Sequence, residues 1–300
     1  MEKSPITLDS NVEFLYALDA KKIISIFKRD FNISVDRFFK EEKVSFYRCK
    51  TTGLKYVKDF EKIAGDNLFY QELAEKKPYY SRQKWEFDAV LEKLRKEWKV
   101  LELGCGDGFF LEKMEKKGIS SVGLELNKKA VDTCLKKGFS VFEKPIQEYA
   151  LNYPNYFDVV CSFQVFEHLS NPHDIIQSSI NLLAPGGLLI ISVPNNNSGI
   201  FSLDTYHTLN LPPHHVLFWD ENSLKKVAQH YNLEVVEIIK SPISKEIRGL
   251  LYKLILKKYF PSLVSDIIHG TTNWFVKRMI TFLIKNKDGA TIIAVLKKSK

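Results

Sequence analysis

Apolar positions in the amino-terminal part of the chain change their spacing several times, and each change marks an element. Residues 18–28 repeat at helical spacing, whereas 44–49 and 54–57 are short apolar runs on either side of Lys50-Thr51-Thr52-Gly53, which predicts a hairpin. A helix is expected over 67–77, followed by Pro78-Tyr79-Tyr80-Ser81-Arg82 and then a helix through Trp85. The strand Val100-Leu101-Glu102-Leu103 then runs into Gly104-Cys105-Gly106-Asp107-Gly108, and a helix is expected over 109–117. Further strands are expected at 120–126 and 157–163, followed by an amphipathic stretch over 173–183. The turn Ala184-Pro185-Gly186-Gly187 leads to the apolar run 188–195. A helix at 221–231 and strands at 233–239 and 290–296 close the pattern, and no internal repeat is visible. Between the last two strands, 250–260 and 274–280 are apolar, aromatic and basic at helical spacing.

The glycine loop carries the first chemistry. Glycine reaches backbone angles closed to other residues, so Gly104, Gly106 and Gly108 allow a sharp turn in which a ligand touches bare backbone. The free N–H groups of the following helix suit a negative or carbonyl-bearing ligand. The spacing lacks the third glycine position of the dinucleotide fingerprint, which argues against NAD. Glu125 ends the next strand, about 20 residues beyond the loop, where a ribose-binding acid is expected. The competing reading of Glu125 is an exposed strand-end charge.

Glu102 with its glycine loop, the strand-end Glu125, the Phe157-Asp158-Val159-Val160 strand ending in Glu167-His168-Leu169, and the Pro185-Gly186-Gly187 turn before Val193-Pro194-Asn195 occur in the order of one family. The chain resembles a class I S-adenosylmethionine (SAM)-dependent methyltransferase over residues 80–240. The resemblance implies an α/β fold with a doubly wound, mostly parallel seven-stranded sheet. To this it adds an amino-terminal α+β cap over 1–81 and a methyltransferase domain over 82–300, with a helical insertion at 243–286 before the last strand. It places Gly104, Cys105 and Gly106 under the methionine part of the cofactor, with Glu102 fixing the loop and the amino group. It gives the ribose hydroxyls to Glu125, the adenine to Leu126 and Gln147, and the methionine and substrate to Phe163 and Gln164 at the carboxyl end of a strand.

The remaining candidates follow that strand end. His168, His207, His214 and His215 lie at or after strand ends, and a histidine can take the proton of a hydroxyl that attacks the methyl group. His215 is the first choice of base, then His214 and His207, with packing roles as the alternative. Tyr80, Tyr206 and Asn195 are the expected substrate contacts. Gln164-x-x-Glu167-His168 with the distant His215 also resembles the metal-binding pattern of small-RNA 2′-O-methyltransferases. Glutamine in place of the first carboxylate removes a charged oxygen, so no metal is expected there. Relatives with an amino-terminal zinc ribbon use four ligands, of which this chain keeps only Cys49.

Composition narrows the setting. The 300 residues are 45% hydrophobic and 27% charged, ordinary for one large or two small globular domains. Four cysteines without a C-x-x-C pair suggest reduced thiols and a cytoplasmic protein. The polar start Met1-Glu2-Lys3-Ser4-Pro5 does not resemble a secretory signal, and no run reaches the ~20 apolar residues of a membrane span. A net charge of +8 permits an acidic partner, but the lysines are dispersed, which favours solvated faces over nucleic-acid binding. A nucleotide-linked or phosphorylated small substrate also fits.

The expectation is a SAM-dependent methyltransferase acting on a small-molecule acceptor, with O-methylation of a sugar, nucleotide sugar or other polysaccharide or secondary-metabolite precursor foremost. A metal-dependent RNA 2′-O-methyltransferase and a catalytically silent SAM-binding scaffold are the alternatives. The 250–280 segment could touch a membrane surface or lipid-linked substrate, or pack on its own domain or on a second copy in a homo-oligomer.

Overall fold

The computed structural model describes residues 2–76, 84–243, 245–259, 278 and 288–300. Tyr80 and most of the 260–286 stretch, including the Trp274 segment apart from Arg278, lie outside the described residues.

The chain opens with β1 (Val12–Asp19), which periodicity did not reveal because Phe14 and Tyr16 are exposed on its outer side, 57% and 42%, so apolar residues occupy both faces. Asp19 ends the strand and caps α1 (Ala20–Phe31) by accepting from the Lys22 N–H at 3.0 Å. Asn32, in the left-handed conformation, closes that helix. β2 (Lys43–Cys49) and β3 (Lys55–Val57) form the expected hairpin, and α2 (Phe60–Ile63) and α3 (Asn67–Lys76) follow. Phe27, Phe46, Phe69 and Leu73 are buried in the core of this cap.

α4 (Trp85–Leu91) leads into the larger sheet, whose chain order is β4 (Lys99–Leu103), α5 (Phe109–Lys116), β5 (Ser120–Leu124), α6 (Lys128–Lys136), β6 (Val141–Phe142) and α7 (Ile146–Ala150). Next come β7 (Phe157–Phe163), α8 (Pro172–Leu182), β8 (Leu183–Pro194), α9 (Gly199–Leu203), β9 (Leu217–Phe218) and α10 (Glu221–His230), and then β10 (Leu233–Lys240), α11 (Lys245–Tyr259) and β11 (Thr291–Lys298). The spatial order is β10-β11-β8-β7-β4-β5-β6, with β8, β7, β4, β5 and β6 parallel and β11 inserted antiparallel between β8 and β10. This is the expected doubly wound, mostly parallel seven-stranded sheet. Leu101, Val160, Leu189 and Ala294 are buried on one face and Val100, Val159, Ile190 and Ile293 on the other, as a sheet covered on both sides requires.

Two features differ from the periodicity. The Pro185-Gly186-Gly187 turn is absorbed into β8, where the register against β7 shifts between Phe157 and Val159. The short strand β9 pairs with β3, so the cap sheet, ordered β1-β2-β3-β9, takes its last strand from the segment after His215. Leu251, Ile255 and Leu256 of α11 pack with Ile200 of α9. Within its described part the insertion therefore packs on its own chain. No helix among the described residues is long and apolar enough to cross a membrane.

Candidate active site

A cavity of about 1,020 Å³ opens where β4, β5 and β7 end, between them, α3 and the 209–215 segment. That is at the upper end of the range for small-molecule sites, ample for a cofactor and an acceptor together. Its position follows from the topology, because β4 and β7 are adjacent strands whose connections leave in opposite directions and so open a crevice at their carboxyl ends.

Glu102, Gly104, Cys105, Gly106, Glu125, Leu126, Gln147, Phe163 and Gln164 all line this cavity. Gly104 has φ +71°, and a Cβ there would lie 2.6 Å from Cγ2 of Val165, so the turn and the close approach of the β7 end both require glycine. The Gly104 and Cys105 amides donate to the Leu124 carbonyl, fastening the loop to the end of β5. Glu125 completes the fastening. Its Oε2 accepts from the Gly106 N–H at 2.9 Å, and its Oε1 accepts from those of Leu126 and Asn127 at 2.8 Å each. The thiol of Cys134, on α6, donates to the Gly106 carbonyl at 3.2 Å.

Glu102 is 2% exposed, and its Oε2 has no hydrogen-bond partner in the structure. Burial pushes its carboxyl well above the usual range. A buried carboxylate at a cavity wall fits a ligand that brings a cation. Lys84, which also lines the cavity, is a cation near enough to bias Glu102 and Glu167 toward ionisation. The donor and acceptor set therefore fits SAM, which carries an ammonium, a carboxylate and a ribose diol.

The opposite wall is a histidine cluster. The Glu167 carbonyl accepts from the Val216 and Leu217 amides at 2.9 and 3.1 Å, which draws the 214–215 segment against the end of β7. The ligand atoms of His168, His214 and His215 come within 4.8 Å of one another. Each ring spends its Nδ1–H on a local oxygen. His168 donates to the His214 carbonyl at 2.5 Å, His214 to the Leu209 carbonyl at 2.8 Å, and His215 to Asn210 Oδ1 at 3.1 Å. Since a carbonyl can only accept, these contacts set the tautomers and make Nε2 the basic nitrogen of each ring. The Tyr70 hydroxyl lies 3.1 Å from the His168 Nδ1 and donates to the His214 carbonyl at 3.3 Å.

Glu167 stands among these rings, with Oε1 at 3.7 Å from the His168 Nε2 and 4.0 Å from that of His215. It is 1% exposed, and neither carboxylate oxygen has a hydrogen-bond partner. Burial pushes its carboxyl up to about 8 and the His168 imidazole down to about 4. Burial and the neighbouring rings hold His215 well below its usual range. The His168 and His215 imidazoles are thus neutral at physiological pH, and their unprotonated Nε2 atoms stand beside a carboxyl group that has no hydrogen-bond partner. Three imidazoles and one carboxylate also fit a divalent transition ion.

The structure separates the sequence candidates. His214 and His215 line the cavity, whereas His207 does not, and its ring packs edge-on against Phe201 at 5.4 Å. Tyr206 is likewise outside the cavity lining, packed into the cap beneath Lys22 at 3.7 Å. Asn195 is buried at the end of β8, where its Nδ2 donates to the Gly289 carbonyl at 3.2 Å and fastens β8 to the start of β11. Gln164, in the left-handed conformation at φ +60°, directs its amide to Glu86 and Ser192 at 3.4 and 3.3 Å. Tyr70 and Lys84 were not found by sequence reasoning, since a single tyrosine in a helix and a single lysine before one carry no pattern. Glu167 and His168 form a motif in the sequence, whereas nothing in the spacing of His214 marks it as their neighbour.

Residues 73–238 match the family model described as "Methyltransferase domain". The chain belongs to this family, the class I SAM-dependent methyltransferases. It is similar to a protein of Proteus mirabilis named ubiquinone biosynthesis O-methyltransferase, with 28% identity over 159 residues, 45% of this chain and 65% of that one. A protein of the same name from Klebsiella pneumoniae is 30% identical over 105 residues, 33% of this chain and 43% of the relative. One from Dechloromonas aromatica is 29% identical over 174 residues, covering 54% and 71%. The chain thus spans less than two thirds of the length of the first two relatives. Among solved structures, a SAM-dependent methyltransferase from Archaeoglobus fulgidus resembles it with a TM-score of 0.48 and 20% identity, over 77% of this chain and 100% of that one.

Proposed function

We propose that the protein transfers the methyl group of SAM to a hydroxyl oxygen of a small molecule, with the histidine cluster receiving the hydroxyl proton. The observation that carries this reading is that one continuous cavity contains both the glycine loop with its acids and the neutral imidazoles. SAM supplies the activated methyl group when bound. Glu102 and Lys84 hold its ammonium and carboxylate, Glu125 its ribose hydroxyls, and Gln147 and Leu126 line the adenine end. The acceptor lies on the histidine side, where Tyr70, Leu169 and Leu209 provide an apolar wall. As the oxygen–carbon bond forms and the carbon–sulfur bond breaks, the hydroxyl proton passes to Nε2 of His215, which is unprotonated and so available to receive it.

The histidine geometry favours one addition to this reading. His168, His214 and His215, with Glu167 Oε1 beside two of the rings, would hold a divalent transition ion, against the expectation that this site is metal-free. When bound, such an ion would polarise the acceptor hydroxyl and ease loss of its proton. His215 would then act as a ligand in place of a base.

The names of the curated relatives support an O-methylation in small-molecule biosynthesis and lend no weight to a sugar acceptor or to RNA. We favour an acceptor with an apolar body, because Leu73, Val165, Leu169, Ile175 and Leu209 also line the cavity. The four cysteines, all free and buried, are consistent with the proposed cytoplasmic setting. Calorimetry with SAM, followed by a mass-spectrometric screen of phenolic and sugar hydroxyl acceptors for methyl-group mass gain, tests the proposal. Absence of SAM binding sinks it, binding without turnover across the panel favours a silent scaffold, and turnover of sugars alone overturns the apolar acceptor.

A further inference from the structure

A second cavity, of about 440 Å³, lies at the junction of the cap sheet and α10, and it shares no lining residue with the methyl-transfer cavity. Arg48, Lys50 and Lys55 approach it from the β2–β3 hairpin, Asn222 and Lys226 from α10, and Asn197 from the loop after β8. Asn222 and Lys226 stand four residues apart on one helix face. The junction is close-packed, since Gly53, at φ +76°, would place a Cβ 3.0 Å from Nδ2 of Asn222.

The charges here are unbalanced. Two acids, Glu13 and Asp220, also line the cavity, and both are engaged. Glu13 pairs with Arg48 at 2.9 Å, and Asp220 caps α10 by accepting from the Ser223 N–H at 2.8 Å. Among the described residues, Lys50, Lys55 and Lys226 form no ion pair, whereas Lys225, the neighbour of Lys226, is held by Glu221 at 2.5 Å. Lys55 is half-buried, and burial pulls its ammonium below the usual range despite the nearby Asp220. Partial desolvation of a cation is costly, and an anion in the cavity would offset that cost. Four basic side chains against two acidic ones leave a surplus of two positive charges, which matches one phosphate dianion.

We propose that this cavity is a binding site for a phosphate-bearing small molecule, distinct from the methyl-transfer site, with Lys50, Lys55 and Lys226 as its charged contacts and the Asn197 and Asn222 amides as donors. The two sites are physically close in the hydrogen-bond network. Asn196, adjacent to Asn197, accepts from Asn210 at 2.9 Å, and Asn210 accepts from His215.

The test is calorimetry on the full chain in phosphate-free buffer, titrated with inorganic phosphate, pyrophosphate and a short-chain anionic phospholipid below its micelle concentration. The proposal expects saturable binding of one probe per chain. It also expects a tenfold or greater loss of affinity in Lys55→Met and in Lys226→Met, and no change in the exposed-lysine control Lys136→Met. SAM affinity is measured on each variant to show that the fold is intact. Binding of phosphate or pyrophosphate assigns a soluble ligand, and binding of the phospholipid alone assigns a lipid headgroup. Bound probe should also raise the Lys55 ammonium titration in NMR. Absence of saturable binding by every probe, or equal loss in Lys136→Met, overturns the site.

Discussion

Nδ1 of His215 donates to the side-chain oxygen of Asn210 at 3.1 Å, and that oxygen faces the ring because Nδ2 of Asn210 donates to Asn196 at 2.9 Å. Asn210 thereby fixes which nitrogen of His215 is basic. Replacing Asn210 with Ala should lower turnover and divalent-ion affinity by about 10–100-fold, as loss of a partner behind a ligand does. SAM affinity, measured by calorimetry, should be nearly unchanged. Equal loss of SAM binding would mean that Asn210 supports the fold rather than the ring.

Glu125 holds three backbone N–H groups and is the proposed ribose contact. Hydrogen bonds to a charged acceptor are worth about 1.5–3 kcal/mol each. Glu125→Ala should therefore weaken SAM by at least tenfold, with Glu125→Gln intermediate. A calorimetric SAM affinity in Glu125→Ala equal to that of the parent would remove Glu125 from the cofactor site.

Gly104 and Gly138 both have positive φ, +71° and +85°, but only at Gly104 would a Cβ meet neighbouring atoms. Alanine at either position pays about 1–2 kcal/mol for the left-handed backbone. Gly104→Ala adds a steric clash with Val165, typically about 1–3 kcal/mol. Urea denaturation should thus show Gly104→Ala to be the less stable variant, and it alone should lose SAM binding. Equal stabilities would indicate that Val165 moves aside freely.

Divalent-ion affinity should rise with pH. The His168 imidazole, pulled down to about 4, is already neutral at pH 6, whereas the Glu167 carboxyl, pushed up to about 8, keeps its proton there. Ion binding must displace that proton, so affinity for Co²⁺ should increase about tenfold per pH unit from 6 and level off near 8. Calorimetry in buffers of different ionisation enthalpy counts the proton released. A flat profile between pH 6 and 8 would exclude Glu167 as a ligand.

Leu251, fully buried, anchors α11 on α9. Leu251→Ala should destabilise the protein by about 2–3 kcal/mol, the lower end for leucine truncation, because the cluster around it is small. If this face instead met a membrane, the substitution would reduce sedimentation with anionic vesicles and leave the denaturation midpoint unchanged.

The cofactor half of the cavity was legible in the sequence because its parts are local. Glu102, Gly104, Gly106, Glu125, Phe163 and Gln164 sit at or just past the ends of strands whose apolar runs are unmistakable, and strand ends converge wherever such a sheet forms. The strand β1 was hidden by its exposed Phe14 and Tyr16, and Tyr70 and Lys84 had no repeat or spacing to mark them.

The sequence by itself thus determined the class of fold and the cofactor loop, through backbone requirements that a few contiguous residues impose. Only the tertiary structure decided which histidines stand together. His168 and His215 lie far apart along the chain, and they meet because the Glu167 carbonyl takes the Val216 and Leu217 amides while β9 pairs with the cap. His207 and Tyr206, closer in sequence to His215, were carried away by the same segment into packing positions. Spacing along a chain constrains neighbours within a strand or a helix, whereas the meeting of two loops depends on long-range pairing that no local pattern encodes.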